Sequence, residues 1–312
     1  MIKKFDLCLN CNEKNLAQWT MISLCLCKSS HLTRSNAMSY KSLTVFLDNS
    51  AGSSRRLSFA LSLAQQHGAH LHALHLTYSP IIMSDPYAVW APMLVEWEES
   101  AQAKHDKAKL AFLEEAKKAG VAVDWLGFRS DDFRELIAHA RASDLIVLGQ
   151  RNPSDIEGDF GRGFPENVVL KLGRPVIFLP YVGEARSHFE RVIVAWDGGR
   201  EAARAMADAL PILKEAKQVK ILSISEHVDD DHDLPDVDIA AYLAMHGVSV
   251  EIERNENIAM APAAWLLSRA ADMDAQLLVM GAYGHSRITE LVFGGVTRAI
   301  MSQMTLPVLM SH

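Results

Sequence analysis

The segments Asp144–Asn152, DLIVLGQRN, and Gln276–Gly284, QLLVMGAYG, are two versions of one pattern. In each segment a short apolar run ends at a glycine, Gly149 or Gly281, which stand 132 positions apart (281 − 149). Apolar runs of this length are typical of strands buried on both faces of a parallel sheet. Further on, Pro175 and Pro307 keep the same spacing, so the chain contains an internal duplication.

The duplication also covers the first strand of each half. SLTVFLD ends at Asp48 and RVIVAWD ends at Asp197, and a turn and a helical pattern follow each of them. Each half then alternates apolar strands with helical patterns, which predicts a doubly wound sheet of five parallel strands. Ligands of such sheets bind beyond the carboxyl ends of the strands, where the strand order reverses. We expect one α/β domain over residues 38–185 and a second over residues 186–312.

Composition excludes several classes of protein. The 312 residues carry a formal charge of −7, which argues against a nucleic-acid partner. Since no apolar run approaches the roughly 20 residues of a membrane helix, we expect no membrane partner and a soluble, cytoplasmic protein.

The first 37 residues lack this periodicity and are interpreted as an extension outside the fold. All four cysteines lie here, in a C-x-x-C…C-x-C pattern. Zinc binding is one interpretation, but the asymmetric spacing favours an unstructured segment. Ser35-Asn36-Ala37 directly before Met38 resembles the remnant of a cleaved expression tag, so Met38 is the expected natural start.

The segment Gly281–Thr297, GAYGHSRITELVFGGVT, carries the densest chemical signal. Glycines stand at both of its ends, at positions 281, 284, 294 and 295. Free backbone N–H groups in a glycine-rich loop and at a helix start bind phosphate, and the missing side chains let it approach. Tight turns alone are the alternative explanation of these glycines.

The spacing of these glycines resembles the ATP-binding motif of the universal stress protein family, G-x-x-G, nine residues, then G-(Ser/Thr). The resemblance covers about residues 40–312 as a tandem pair. It implies two Rossmann-like domains of the adenine nucleotide alpha hydrolase-like type, related by a pseudo-twofold axis. One departure is Gly295, where the family pattern has a hydroxyl residue. Thr297 either supplies that hydroxyl or only begins the helix.

The same resemblance implies a nucleotide site in the second half. Asp197 would meet the adenine or ribose, although a helix-capping role is the alternative, and the backbone of Ile224 would contact the base. The expected ligand is ATP, with ADP or AMP as alternatives and Mg²⁺ as an accompanying ion. The complete predicted set is Asp197, Ile224, Gly281, Gly284, His285, Gly294, Gly295, Val296 and Thr297.

The first half has lost this motif. Asn152 stands opposite Gly284 and Arg162 opposite Gly294. The carboxylates between them, Asp155, Glu157 and Asp159, would repel a triphosphate. We expect this half to bind no ATP and to act as a structural or regulatory partner.

Three functions fit these features. The favoured one is a nucleotide-dependent regulator or interaction module with an unidentified protein partner. A nucleotide-independent scaffold and a slow ATP hydrolase are the alternatives, and no residue is assigned a catalytic role.

Two further expectations concern metal ions and assembly. His70 and His72 share a face of one strand while His67 and His75 fall on other registers, so we expect no metal triad. The two final apolar strands should pair with each other, which gives a monomer with an internal pseudo-dimer or a homodimer.

Overall fold

The protein was analysed as a computed structural model. The structure describes residues 39–77, 91–129, 132–155, 163–183, 186–224, 236–255, 260–284 and 295–312. The expectations for residues 1–37, for His285 and Gly294, and for Glu157, Asp159 and Arg162 lie outside these ranges.

Strands and helices alternate along both halves of the described chain. The first half contains β1 (Ser42–Leu47), α1 (Ser53–His67), β2 (His70–Thr77), α2 (Ala91–Ala119), β3 (Val123–Arg129), α3 (Phe133–Ala140), β4 (Leu145–Gly149), α4 (Phe164–Leu172) and β5 (Val176–Leu179). The second half contains β6 (Arg191–Trp196), α5 (Arg200–Leu213), β7 (Gln218–Ile224), α6 (Asp236–Met245), β8 (Val250–Asn255), α7 (Pro262–Asp272), β9 (Leu277–Gly281), α8 (Gly295–Gln303) and β10 (Val308–Ser311). The predicted α/β class is confirmed.

The ten strands form one sheet in the order β3-β2-β1-β4-β5-β10-β9-β6-β7-β8. Within each half all strand pairs are parallel. The strand order reverses between β1 and β4 and again between β6 and β9, as in doubly wound folds. At the centre β5 and β10 pair antiparallel, with Leu309 opposite Ile177. The expected pairing of the two final strands is therefore confirmed.

Each face of the sheet carries its own apolar layer, and both layers continue across the central strand pair. Leu309 belongs to the layer beneath α1 and α5, whereas its neighbours Val308 and Met310 belong to the layer beneath α4 and α8. Polar contacts also join the halves: the Gln150 amide donates to the Met301 carbonyl at 2.9 Å. No described helix is both long and apolar enough to cross a bilayer.

A chain of polar rings lies between β2, β3 and α2. Trp125 Nε1–H donates to His105 Nε2 at 3.1 Å, so a neutral His105 carries its proton on Nδ1. That proton is donated to His75 Nδ1, 3.2 Å away, and leaves the His75 proton on Nε2. The His75 ring is fully buried and stacks on Trp125 at 5.1 Å between centroids. Gly127 makes the room, because a Cβ there would lie 2.4 Å from His105 Cε1.

This geometry gives stability a pH dependence. Burial, and then the neighbouring His105, lower the pKa of His75 from 6.5 to about 4. The folded state prefers neutral His75, whereas the unfolded chain binds a proton there below about pH 6.5. The contribution of His75 to the free energy of unfolding is therefore complete above pH 6.5 and is lost as the pH falls from 6.5 toward 4. The difference between the His75 pKa of the unfolded and the folded chain corresponds to roughly 3 kcal/mol of the free energy of unfolding. Chemical denaturation at a series of pH values should show this loss.

The matched test replaces the imidazole. His75→Leu should remove most of that decline, whereas His188→Ala, which alters an exposed side chain, should keep it. An unchanged pH dependence in His75→Leu would contradict the role of the buried ring.

Candidate functional site

The carboxyl ends of β6 and β9 meet the first turn of α5 in the second half. Gly281 ends β9, and a Cβ at this position would lie 2.6 Å from the backbone nitrogen of Ala202 and 2.7 Å from the carbonyl carbon of Glu201. These are backbone atoms of a helix, which cannot yield as a flexible side chain does. Gly281 is therefore required by the close approach of strand and helix.

The space beyond the carboxyl ends of β6 and β9, beside the first turn of α5, is called the crevice of the second half. Asp197 follows β6 directly and is exposed at this place. Its Oδ1 accepts the Gly199 N–H at 2.9 Å, a tight turn in which Gly198 takes a φ of +72°. The N-cap of α5 is Gly199, and no side chain caps it. Asp197 therefore does not cap α5. Its carboxylate is instead fixed at the end of β6 by the turn that it forms with Gly199.

Glu201 is a second carboxylate at this site, and the sequence analysis did not include it. The residue is only 5 % exposed, and Arg200 Nε donates to its Oε1. Burial raises the pKa of Glu201, but the hydrogen bonds from Arg200 and from its own backbone N–H, with the Arg200 charge, lower it below the usual value. The side chain is therefore ionised near neutral pH. Its position in the first helical turn, four residues after Asp197, is the sequence signal that could have identified it.

Gly284 lies between the two carboxylates. A Cβ at Gly284 would lie 3.1 Å from Glu201 Oε2 and 3.8 Å from Asp197 Oδ2. The glycine itself is exposed. A ligand that reaches the backbone here therefore meets two negative charges.

Thr297 connects the loop after β9 to α8. Its buried Oγ1 accepts the Tyr283 N–H at 3.2 Å, and Tyr283 adopts a φ of +56°. The hydroxyl oxygen thus fixes the loop against the first turn of α8. The described part of α8 begins at Gly295, so the N–H groups of Gly295 and Val296 have no partner within this helix.

Tyr283 extends from this loop toward the first half. Burial, and then the charge of Glu166 in α4, raise the pKa of Tyr283 to about 12. Tyr283 Oη and Glu166 Oε2 are both buried and have no hydrogen-bond partner among the described residues. The side chain next to the glycine loop is thus electrostatically coupled to the other half.

The structure brings most of the predicted site residues to one edge of the sheet. Ile224 ends β7, the neighbour of β6, at that same edge. The residues placed at this edge are Asp197, Ile224, Gly281, Gly284, Gly295, Val296 and Thr297.

The equivalent crevice of the first half is filled by its own side chain. Arg56 is buried, and its guanidinium donates from Nε to the Phe46 carbonyl at 3.1 Å and pairs with Asp48. A Cβ at Gly149 would lie 2.6 Å from Arg56 Nη1. In the second half the position 149 residues later is Ala205, so this helix position provides no guanidinium there.

The expectation of no metal triad rested on histidines alone, and the structure adds a carboxylate beside two of them. His70, His72 and Asp124 place one ligand atom each within 4.8 Å of one another. The sequence analysis considered histidines of one strand alone, whereas the third group lies on the neighbouring strand β3.

The fold and crevice define a tandem pair of doubly wound α/β domains that share one sheet. The family model for the universal stress protein family matches residues 39–180 and 188–312. This chain belongs to the universal stress protein family.

Two known universal stress proteins resemble the chain over most of its length, and a third resembles less than half of it. A universal stress protein of Mycolicibacterium smegmatis is 25% identical over 300 residues, which cover 86% of this chain and 95% of that protein. The crystal structure of a universal stress protein from Archaeoglobus fulgidus matches with a TM-score of 0.64 at 17% identity and covers 86% of this chain and 95% of that one. A universal stress protein in complex with cAMP matches over 40% of this chain and 99% of that one, at 22% identity and a TM-score of 0.31.

Two glycines of one loop should respond differently to the same added methyl group. Gly281→Ala forces a Cβ into helix backbone and should lower the free energy of unfolding by about 1–3 kcal/mol. Gly284→Ala meets only the end of the Glu201 side chain and should cost less than about 1 kcal/mol. Urea unfolding of both variants measures the difference, and equal stabilities would contradict the packing role of Gly281.

Proposed function

We propose that the second half binds an adenine nucleotide as its Mg²⁺ complex, with ATP as the favoured ligand, and that binding regulates interaction with a protein partner. The observation that carries the proposal is the exposed Gly284, adjacent to the first turn of α8 through the Tyr283–Thr297 hydrogen bond. Backbone N–H groups at such a place suit phosphate oxygens. Because Gly284 has no side chain, the approach to this backbone is open.

The electrostatics of the crevice favour a cation between protein and phosphates. Asp197 Oδ2 and Glu201 Oε2 both face the space beside Gly284. A bare triphosphate there would be repelled by both carboxylates. Mg²⁺ prefers carboxylate, phosphate and water oxygens, so these two side chains are the ones that would hold it directly or through water.

The first half supports a different role. Its crevice already contains the Arg56–Asp48 ion pair, and Asp155 Oδ2 accepts the Ala51 N–H at 3.0 Å across the loop. A nucleotide would have to displace a buried, paired guanidinium. We assign residues 38–185 to a non-binding structural or regulatory domain and residues 186–312 to the binding domain, acting as one monomer with an internal pseudo-dimer in the cytoplasm.

A nucleotide-independent scaffold is the second candidate. Two features favour it: Gly295 lacks the hydroxyl of the family motif, and Glu201 adds negative charge beside Gly284. The two candidates differ in one measurable property, which is saturable binding of Mg²⁺-ATP by the purified chain.

The first test separates phosphate contacts from base and ribose contacts. Gly284→Val should weaken Mg²⁺-ATP binding by at least about tenfold, because a branched side chain blocks the phosphate approach, and should leave adenosine binding nearly unchanged. The matched control is Asn152→Val, the equivalent position of the first half, which should alter neither affinity. Calorimetry gives the Mg²⁺-ATP and adenosine affinities of the unmodified chain and of both variants.

The outcomes of that test are distinct. Absence of binding of ATP, ADP and AMP by the unmodified chain would contradict the proposal and favour the scaffold. Equal losses for ATP and adenosine in Gly284→Val would mean that the glycine serves the fold and that the phosphates bind elsewhere.

The second test concerns the cation. Glu201→Gln removes one negative charge, so it should improve ATP binding in magnesium-free buffer and reduce the gain that Mg²⁺ provides. Glu190→Gln, at the amino end of β6, is the matched control and should retain the Mg²⁺ dependence of the unmodified chain. An identical Mg²⁺ dependence in Glu201→Gln and in the control would exclude Glu201 from the site.

A further inference from the structure

A group of metal-ligating side chains lies at the amino ends of β2 and β3. His70 and His72 alternate with the buried Leu71, so both imidazoles project from the same face of β2. Asp124 lies opposite His72 in the β2–β3 register. Its Oδ2 is 2.8 Å from His70 Nε2 and 3.2 Å from His72 Nδ1. One carboxylate oxygen thus stands within reach of two ring nitrogens.

We propose that His70, His72 and Asp124 bind a divalent transition-metal ion. Two imidazole nitrogens and one carboxylate form a ligand set that suits Zn²⁺, Co²⁺, Ni²⁺ or Cu²⁺, whereas Mg²⁺ and Ca²⁺ prefer oxygen ligands alone. Metal–ligand bonds of about 2.1 Å place tetrahedral ligand atoms about 3.4 Å apart. The separations from Asp124 Oδ2 would therefore widen by about 0.6 Å for His70 and about 0.2 Å for His72.

The surroundings allow an ion to enter. The side chains of His70, His72 and Asp124 are 38%, 32% and 59% exposed, so water can complete the coordination shell. The backbone that carries them is fixed by the hydrogen-bonded register of two neighbouring strands. The His70 and His72 rings lie 4.6 Å apart, which leaves their orientation constrained before any ion binds. A partly assembled ligand set loses less side-chain entropy on binding.

The site is independent of the proposed nucleotide site. It lies in the first half, and four strands separate β2 from β9. At the spacing of neighbouring strands this is roughly 24 Å. Failure of either proposal therefore leaves the other standing.

The experiment titrates the full chain with Co²⁺ and, separately, with Zn²⁺, and follows binding by calorimetry and by the visible spectrum of Co²⁺. His72→Ala should weaken one bound equivalent by at least about tenfold. Asp124→Asn keeps the size of the side chain and should weaken the same equivalent. The control His246→Ala removes an imidazole of the second half and should leave binding unchanged. Mg²⁺ in place of Co²⁺ should give no heat at this site.

The cysteines of the first 37 residues are distinguished by the same spectrum. Cobalt bound to thiolate shows a sulfur-to-metal charge-transfer band, whereas cobalt bound to nitrogen and oxygen shows only weak d–d bands. The proposal requires one bound equivalent of Co²⁺ that shows no charge-transfer band. His72→Ala should lose this equivalent. The proposal is overturned if His72→Ala and Asp124→Asn, both folded by circular dichroism, bind Co²⁺ and Zn²⁺ as the unmodified chain does.

Discussion

The antiparallel pairing of β5 with β10 is the contact on which the architecture depends. Each half of five parallel strands ends in an apolar strand, and an exposed apolar edge is an aggregation hazard. Here Ile177 and Leu309 face each other in register and both are fully buried. The two strands that would be exposed edges in separate halves lie at the centre of a ten-stranded sheet. The apolar layers on both faces of the sheet continue across them. Neither half has a complete core without the other.

Within this shared frame the two crevices have opposite chemistry. The first contains a buried guanidinium, Arg56, neutralised by Asp48. The second contains Glu201, with Asp197 at its mouth, and Ala205 stands where the guanidinium would originate. A paired internal cation closes a site to ligands because displacing it leaves a buried charge. The carboxylates of Asp197 and Glu201 instead place negative charge beside the exposed Gly284, and of the two Glu201 is paired with Arg200.

Sequence reasoning predicted the features that depend on local pattern. The apolar runs at Leu145 and Leu277 identified strands, and the equivalence of the two final strands led to their pairing. It did not identify Glu201, because a position in the first helical turn does not by itself show that the side chain is buried beside β9, which depends on the path of α5. Asp124 was missed for a related reason: its contact with His70 and His72 depends on the register between β2 and β3, which side-chain alternation within one strand does not specify. The packing role of Gly281 likewise required the position of a helix start.

The antiparallel pairing of β5 with β10 also determines where the two crevices lie and which helix connects them. Because β5 and β10 run antiparallel, the carboxyl ends of the parallel strands in the two halves point to opposite edges of the sheet. Helix α8 has nine residues and is about 14 Å long. Its first turn contacts the loop of the second crevice through Thr297 and Tyr283, and its last turn accepts the Gln150 amide at the carbonyl of Met301. Gln150 directly follows β4 and also accepts the Tyr181 N–H beyond β5. Hydrogen bonds at its two ends therefore connect α8 to the loop after β9 in the second half and to the end of β4 in the first half.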